Sequence, residues 1–145
     1  MSGKGKVYVG TSGWHYMHWK GPFYPAKAPA RRFLDHYAEH FNATEINNTF
    51  YRLPKPETFM EWRDRTPSGF RFAVKASRYI THMKKLKDVG EGLAKFFDGI
   101  AALEDRLGPI LFQLPPNLKP DLERLEGFLD SLPDKGLYVR SGLAQ

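Results

Sequence analysis

Four apolar stretches of this chain end in polar side chains: Thr11 and Ser12, Glu45 and Asn47, Lys75, and Gln113. Glu45 and Asn47 lie two apart in the stretch Phe41 to Tyr51, so in a strand the carboxylate and the carboxamide share one face. A carboxylate can take up a proton, an amide can orient a ligand, and Lys75 adds a cation. Downstream, His82 sits beside Thr81 and ahead of Lys84 and Lys85, which makes it the best candidate for acid–base work or contact with an anion. A surface histidine is the other reading. The expected catalytic groups are Glu45, Lys75 and His82, with Glu45 as base or orienter and the other two contacting charge. Ligand contacts are expected from Ser12, Trp14, Asn47, Arg78 and Gln113. On adjacent strands, Glu45 and Lys75 are expected to form an ion pair, an arrangement that is costly in a poorly hydrated mouth unless it is used or well bonded.

The elements that must position these groups follow from periodicity. Residues 6–12 form a first strand ending at Gly13. A long loop from Trp14 to Pro29 follows, dense in rings, with Pro22, Pro25 and Pro29 against a helix. Its Trp14, Tyr16 and Trp19 have two open readings: stacking on bases or sugars, or closing one end of the core. Phe33, Leu34, Tyr37 and Phe41 recur at helical spacing over 30–40. A second strand over the Phe41–Tyr51 stretch leads through Pro54 and Pro56 to a helix over 57–65. A third strand covers 70–76, with Phe70, Phe72 and Val74 on one face and Arg71, Ala73 and Lys75 on the other. Helices over 91–107 and 121–132 flank a strand over 110–114, and a fifth strand is expected from Leu137. The regular alternation predicts βα units around a parallel sheet, whose ligands bind at the C-terminal strand ends.

With 145 residues the chain fits one domain, 1–145, and without cysteine it has no disulfide frame. No apolar run approaches the roughly 20 residues of a membrane helix. The N-terminus lacks the apolar core of a signal peptide, so a soluble, cytoplasmic protein is expected. The net charge of +6 is uneven: residues 1–34 carry six Lys or Arg and no acid, and a second basic cluster runs from Lys75 through Arg78 to Lys87. That asymmetry suits an anionic ligand, with a solvated surface as the plainer alternative. No Walker loop, dinucleotide fingerprint or His-Glu-x-x-His helix occurs, and the five histidines suggest no metal cage. His36 and His40, four apart, have the spacing of a ligand pair on a helix, with an exposed helix face as the favoured reading. No cofactor is indicated.

Several motifs together resemble the YecE-like proteins, domain of unknown function 72. They are Gly10-Thr11-Ser12-Gly13-Trp14, Phe23-Tyr24-Pro25, the run from Phe41 to Tyr51, Phe72 to Tyr79, Thr81-His82, and Leu107 to Pro116. The resemblance covers about residues 6–136 and implies a TIM-like β/α barrel of unassigned activity, here as about four βα units, a truncated half barrel. By resemblance the shared polar positions are Ser12, Trp14, Glu45, Asn47, Lys75, His82 and Gln113. An eight-unit barrel typically needs about 250 residues. Residues 137–145 diverge from the family pattern and are expected to be an out-of-frame tail, as a shifted reading frame would produce.

Two function classes follow. The first is an enzyme-like strand-end site for an anionic, phosphate- or nucleic-acid-related ligand. The second is a non-catalytic fragment or binding module, favoured for the chain as it stands. Exposed half-barrel edges and an uncovered inner face lead to three expected outcomes: a homodimer through those edges, aggregation, or marginal stability.

Overall fold

A computed structural model describes residues 3–133, together with the backbone of residues 139–143. Its centre is a sheet of β1 (Gly10–Ser12), β2 (Ala43–Ile46), β3 (Arg71–Lys75), β4 (Leu107–Leu114) and β5 (Val139–Leu143). The strands lie in chain order and every pairing is parallel. Successive strands are joined by α1 (Phe33–His40), α2 (Pro56–Asp64), α3 (Gly90–Ile100) and α4 (Leu122–Asp130). The βα series expected from the periodicity is present. The expected turn at 134–136, the strand start at Leu137 and the side chains of the divergent tail lie outside the described residues.

Strand alternation separates the two faces. Thr44 and Ile46, Phe72 and Val74, Ile110 and Phe112 are all buried against the helices. There they meet Phe33, Leu34 and Tyr37 of α1, Phe59 of α2, Leu93, Phe96 and Ile100 of α3, and Phe128 of α4. The opposite face, with Glu45, Ala73, Lys75, Leu111 and Gln113, is only half-buried. The polar groups thus occupy the face that the helices leave uncovered.

The first strand is shorter than expected. Val7, Tyr8 and Val9 are exposed, and their backbone is paired by a side chain: Asn42 accepts from the Val9 N–H at 2.7 Å and donates to the Val7 carbonyl at 2.8 Å. Where β1 begins, the backbones come so close that a Cβ on Gly10 would lie 1.8 Å from the Ala43 carbonyl oxygen. The Tyr37 hydroxyl closes this junction, accepting from the Thr11 N–H and donating to the Ala43 carbonyl, both at 2.8 Å.

The third helix also ends early, at Ile100, and continues as a 3-10 segment, Ala101–Arg106. This segment is tied to α2 and to the turn after it. Arg63 donates to the Ala102 carbonyl and pairs with Glu104, and Arg106 donates to the Thr66 carbonyl at 2.9 Å. Glu104 adopts φ 50°, which no helix continues through. Strand four therefore begins at Leu107 and absorbs Pro109 at a bulge, where the register passes from Phe72↔Leu107 to Val74↔Ile110.

Tyr37→Phe should lower stability by about 1–3 kcal/mol, because it leaves the Thr11 N–H and the Ala43 carbonyl without their partner. Denaturant unfolding measures this, and an unchanged midpoint would contradict the role given to that hydroxyl.

Candidate functional site

At the C-terminal end of β2 the strand stops at Ile46, and Asn47 already has helical backbone angles. A tight 3-10 turn, Asn48–Phe50, follows, with the Asn47 carbonyl accepting from the Phe50 N–H at 3.0 Å. Thr49 is completely buried, and its hydroxyl donates to the Lys75 carbonyl at 2.6 Å, with the Ile46 carbonyl at 3.1 Å. That bond ties the turn to the end of β3 and sets Phe50 above Lys75, whose ammonium lies 4.5 Å from the ring centroid.

The ion pair expected between Glu45 and Lys75 does not form. Parallel register places Glu45 beside Ser12 and Ala73, whereas Lys75 lies one rung further along the same face, beside Leu111. Among the described residues, Lys75 has no carboxylate partner, and its neighbour is the electron-rich face of an aromatic ring.

His82 belongs to a single π-helical turn, Tyr79–Met83, that follows β3. Its Nδ1 lies 2.8 Å from the hydroxyl of buried Thr81, and its ring packs edge-on against Phe50 at 5.0 Å. Phe50 is thus a shared wall between Lys75 and His82. Burial holds the His82 imidazole below its ordinary value of 6.5, and the Lys75 ammonium lowers it further. The ring is therefore neutral at pH 7, with Nε2 facing away from the Thr81 contact.

Beside this group, Asn47 donates from Nδ2 to the Ser12 hydroxyl at 2.5 Å, and the Tyr16 hydroxyl donates to the Ser12 carbonyl. Gly13 turns here at φ +85°, a conformation that strains any larger residue, and its N–H bonds the Glu45 carbonyl at 2.9 Å. Glu45, Asn47, His15 and Tyr16 border a cavity of about 270 Å³, with Trp14 and Trp62 behind it.

The sequence-derived residues therefore fall into three sets. Ser12, Glu45 and Asn47 gather at the β1–β2 end, and Lys75 and His82 meet across Phe50. Trp14 backs the cavity that Glu45 and Asn47 border, and Arg78 and Gln113 form the remaining set. Trp14 is 8% exposed and packs edge-on against Trp62 at 5.0 Å and Phe72 at 5.9 Å, so its main role is in the core. Tyr24, stacked on Phe33 at 4.1 Å and bonded from its hydroxyl to the Trp14 carbonyl, pins that loop. Burial, reinforced by Tyr37, raises the Tyr24 phenol well above its ordinary value, which keeps the donating proton in place. Arg78 is exposed, its guanidinium over the Tyr51 ring at 5.5 Å. Gln113 pairs in register with Gly142 of β5 and lies on the same face as Lys75, two residues beyond Leu111, the register partner of Lys75. Phe50 and Thr49 were not among the expected site residues. Their signal is the aromatic run Phe50-Tyr51 directly after the polar strand end.

The arrangement supplies an ammonium without a carboxylate partner among the described residues, a neutral imidazole beside it, and a carboxylate one rung lower. It suits recognition of negative charge with a proton acceptor nearby. Among the described residues, histidine and carboxylate donors close enough to share a cation occur on α1, not here.

Comparisons with known proteins bear on the family and the fold. The UPF0759 protein YecE of Escherichia coli K12 is 35% identical over 133 residues, an alignment covering 91% of this chain and 46% of YecE. The UPF0759 protein YunF of Bacillus subtilis is 27% identical over 116 residues, covering 76% of this chain and 40% of YunF. The chain thus spans about half the length of the curated relatives it matches. A solved DUF72 family protein from Thermotoga maritima superposes with a TM-score of 0.78 at 35% identity, over 92% of this chain and 55% of that one. A second, from Enterococcus faecalis, has a TM-score of 0.70 at 22% identity and speaks for the fold alone. The TIM-like β/α architecture is accordingly that of about half of its structural relatives. The family described as "Protein of unknown function DUF72" matches residues 8–140, and the chain belongs to that family.

Proposed function

We propose that the strand ends bind an anionic, phosphate-bearing ligand. Lys75 neutralises the charge, and His82 Nε2 and Asn47 contribute hydrogen bonds. Glu45 acts as the group that accepts a proton from the ligand or orients it. The observation that carries this reading is the Lys75 ammonium, half-buried on the inner face against Phe50 with no carboxylate at ion-pair distance among the described residues. A partly desolvated cation left in that state gains most from a ligand that brings the missing negative charge. The neutral imidazole supports it, because a second cation at that distance would be repelled by the first. Arg78, exposed over the Tyr51 ring and three residues after Lys75, adds to the positive field along which an anion approaches.

A titration of the full chain with inorganic phosphate, followed through backbone and His82 ring resonances, tests this. Lys75→Ala should weaken binding by about tenfold or more, roughly 1.4 kcal/mol per decade, and His82→Ala should weaken it less. Unchanged affinity in both variants would remove the proposal.

The same histidine makes a pH-dependent prediction. Because its folded pKa lies below 6.5, the unfolded chain binds the proton first. Stability present above about pH 6.5 should therefore fall as the pH drops toward the folded value, then level off. Lys75→Ala should move the His82 titration back up toward 6.5. An NMR titration in which His82 protonates above that value in the unsubstituted protein would contradict the assigned burial and charge.

A further inference from the structure

At the other end of the sheet, α1 finishes at His40, and β2 begins three residues later at Ala43. Positions 36, 39 and 40 of that helix are i, i+3 and i+4 and so project from one face. Donor atoms of His36, Glu39 and His40 all lie within 4.8 Å of one another, the one such trio among the described residues. Helical spacing alone brings two imidazoles near each other, and three features go further.

The first is orientation. The edge of Phe23 packs against both imidazoles, at 5.0 Å from His36 and 5.4 Å from His40, and the two imidazoles are 4.7 Å apart. Buried Tyr24 backs His36 at 5.6 Å. His36 is therefore held in place before any ligand arrives, so less of its side-chain freedom is lost on binding. The second is the chemistry of the neighbours. Arg32 and Arg65, the cations of the adjoining groove, are taken up by Asp35 and Glu61, which leaves the Glu39 carboxylate without a partner among the described residues. The third is position. His40 is the last residue of α1, where the negative end of the helix dipole favours a bound cation.

We propose that His36, Glu39 and His40 form a site for a borderline divalent metal ion, zinc foremost. Two imidazoles and one carboxylate are the donor set that suits zinc, with solvent completing the tetrahedron. Bonds of about 2.0–2.2 Å require donors about 3.3 Å apart. Glu39 and His40 are exposed and can close that distance by rotating, while half-buried His36 remains anchored against Phe23 and Tyr24. The ion bridges one turn of α1, and its role is to staple the C-terminal turn of that helix, whose imidazoles pack against Phe23.

Isothermal titration of the metal-stripped full chain with zinc chloride tests the site. One equivalent should bind, and magnesium chloride should give no binding heat, since magnesium prefers an all-oxygen octahedron. His40→Ala and Glu39→Gln should each lower zinc affinity by about tenfold or more. Zinc should raise the thermal midpoint of the unsubstituted protein but not that of His40→Ala. His36→Ala also removes ring contacts, so the exposed His40 and Glu39 positions decide the matter, with circular dichroism confirming that those variants are folded. Absence of zinc uptake by the unsubstituted chain, or zinc affinity in His40→Ala equal to it, would overturn the assignment.

Discussion

One buried hydroxyl holds the candidate site together. Thr49 is fully enclosed, and its bond to the Lys75 carbonyl joins the turn after β2 to the end of β3. Without that tie the Asn48–Phe50 turn would keep only local bonds, those of its own backbone and the Thr49 contact with the Ile46 carbonyl, together with the packing of one ring. With it, Phe50 is fixed above the Lys75 ammonium and against His82 at once. The electrostatic character of the site then follows. The ring excludes water from one side of both groups, the ammonium meets a π face in place of a carboxylate, and the imidazole is driven toward its neutral form by burial and by the ammonium.

This arrangement depends in turn on the division of the sheet into two faces. The helix-covered face takes Ile46, Phe72, Val74, Ile110 and Phe112, which supply the apolar burial that stabilises the domain. The opposite face can therefore carry polar groups that contribute little to stability. At its β1 edge the strands are held by polar side chains, Tyr37 and Asn42, where the short strand has few ladder bonds of its own. Stability and candidate site thus draw on different residues of the same strands.

The parity of side chains was legible in the sequence because strand period is local: Phe72 and Val74 on one face, Ala73 and Lys75 on the other, could be read directly. Stagger between parallel strands was not. Glu45 and Lys75 are on neighbouring strands and the same face, as expected, yet the register sets them a rung apart, and no alternation pattern encodes that offset. The extent of β1 was misjudged because Asn42, a residue outside the strand, supplies the partner that a strand would have supplied. The early end of the third helix lies outside its own periodicity, because Arg63 of α2 takes up the Ala102 carbonyl and Arg106 ties the segment to the Thr66 carbonyl. The aromatic loop had two open readings, and its packing favours the core for Trp14 and Tyr24. Phe50 went unassigned because its position depends on a contact between residues 26 apart in sequence.

The account stands most directly on Thr49, and His82 reports on it. Thr49→Val keeps the shape of the side chain while removing the hydroxyl that holds the turn, and Thr49→Ser keeps the hydroxyl. An NMR titration of the His82 ring in both variants separates the two properties. The account predicts that His82 in Thr49→Val titrates closer to its ordinary value of 6.5, as Phe50 lifts and water reaches the imidazole, while Thr49→Ser titrates like the unsubstituted protein. A folded Thr49→Val protein whose His82 titrates unchanged would contradict it.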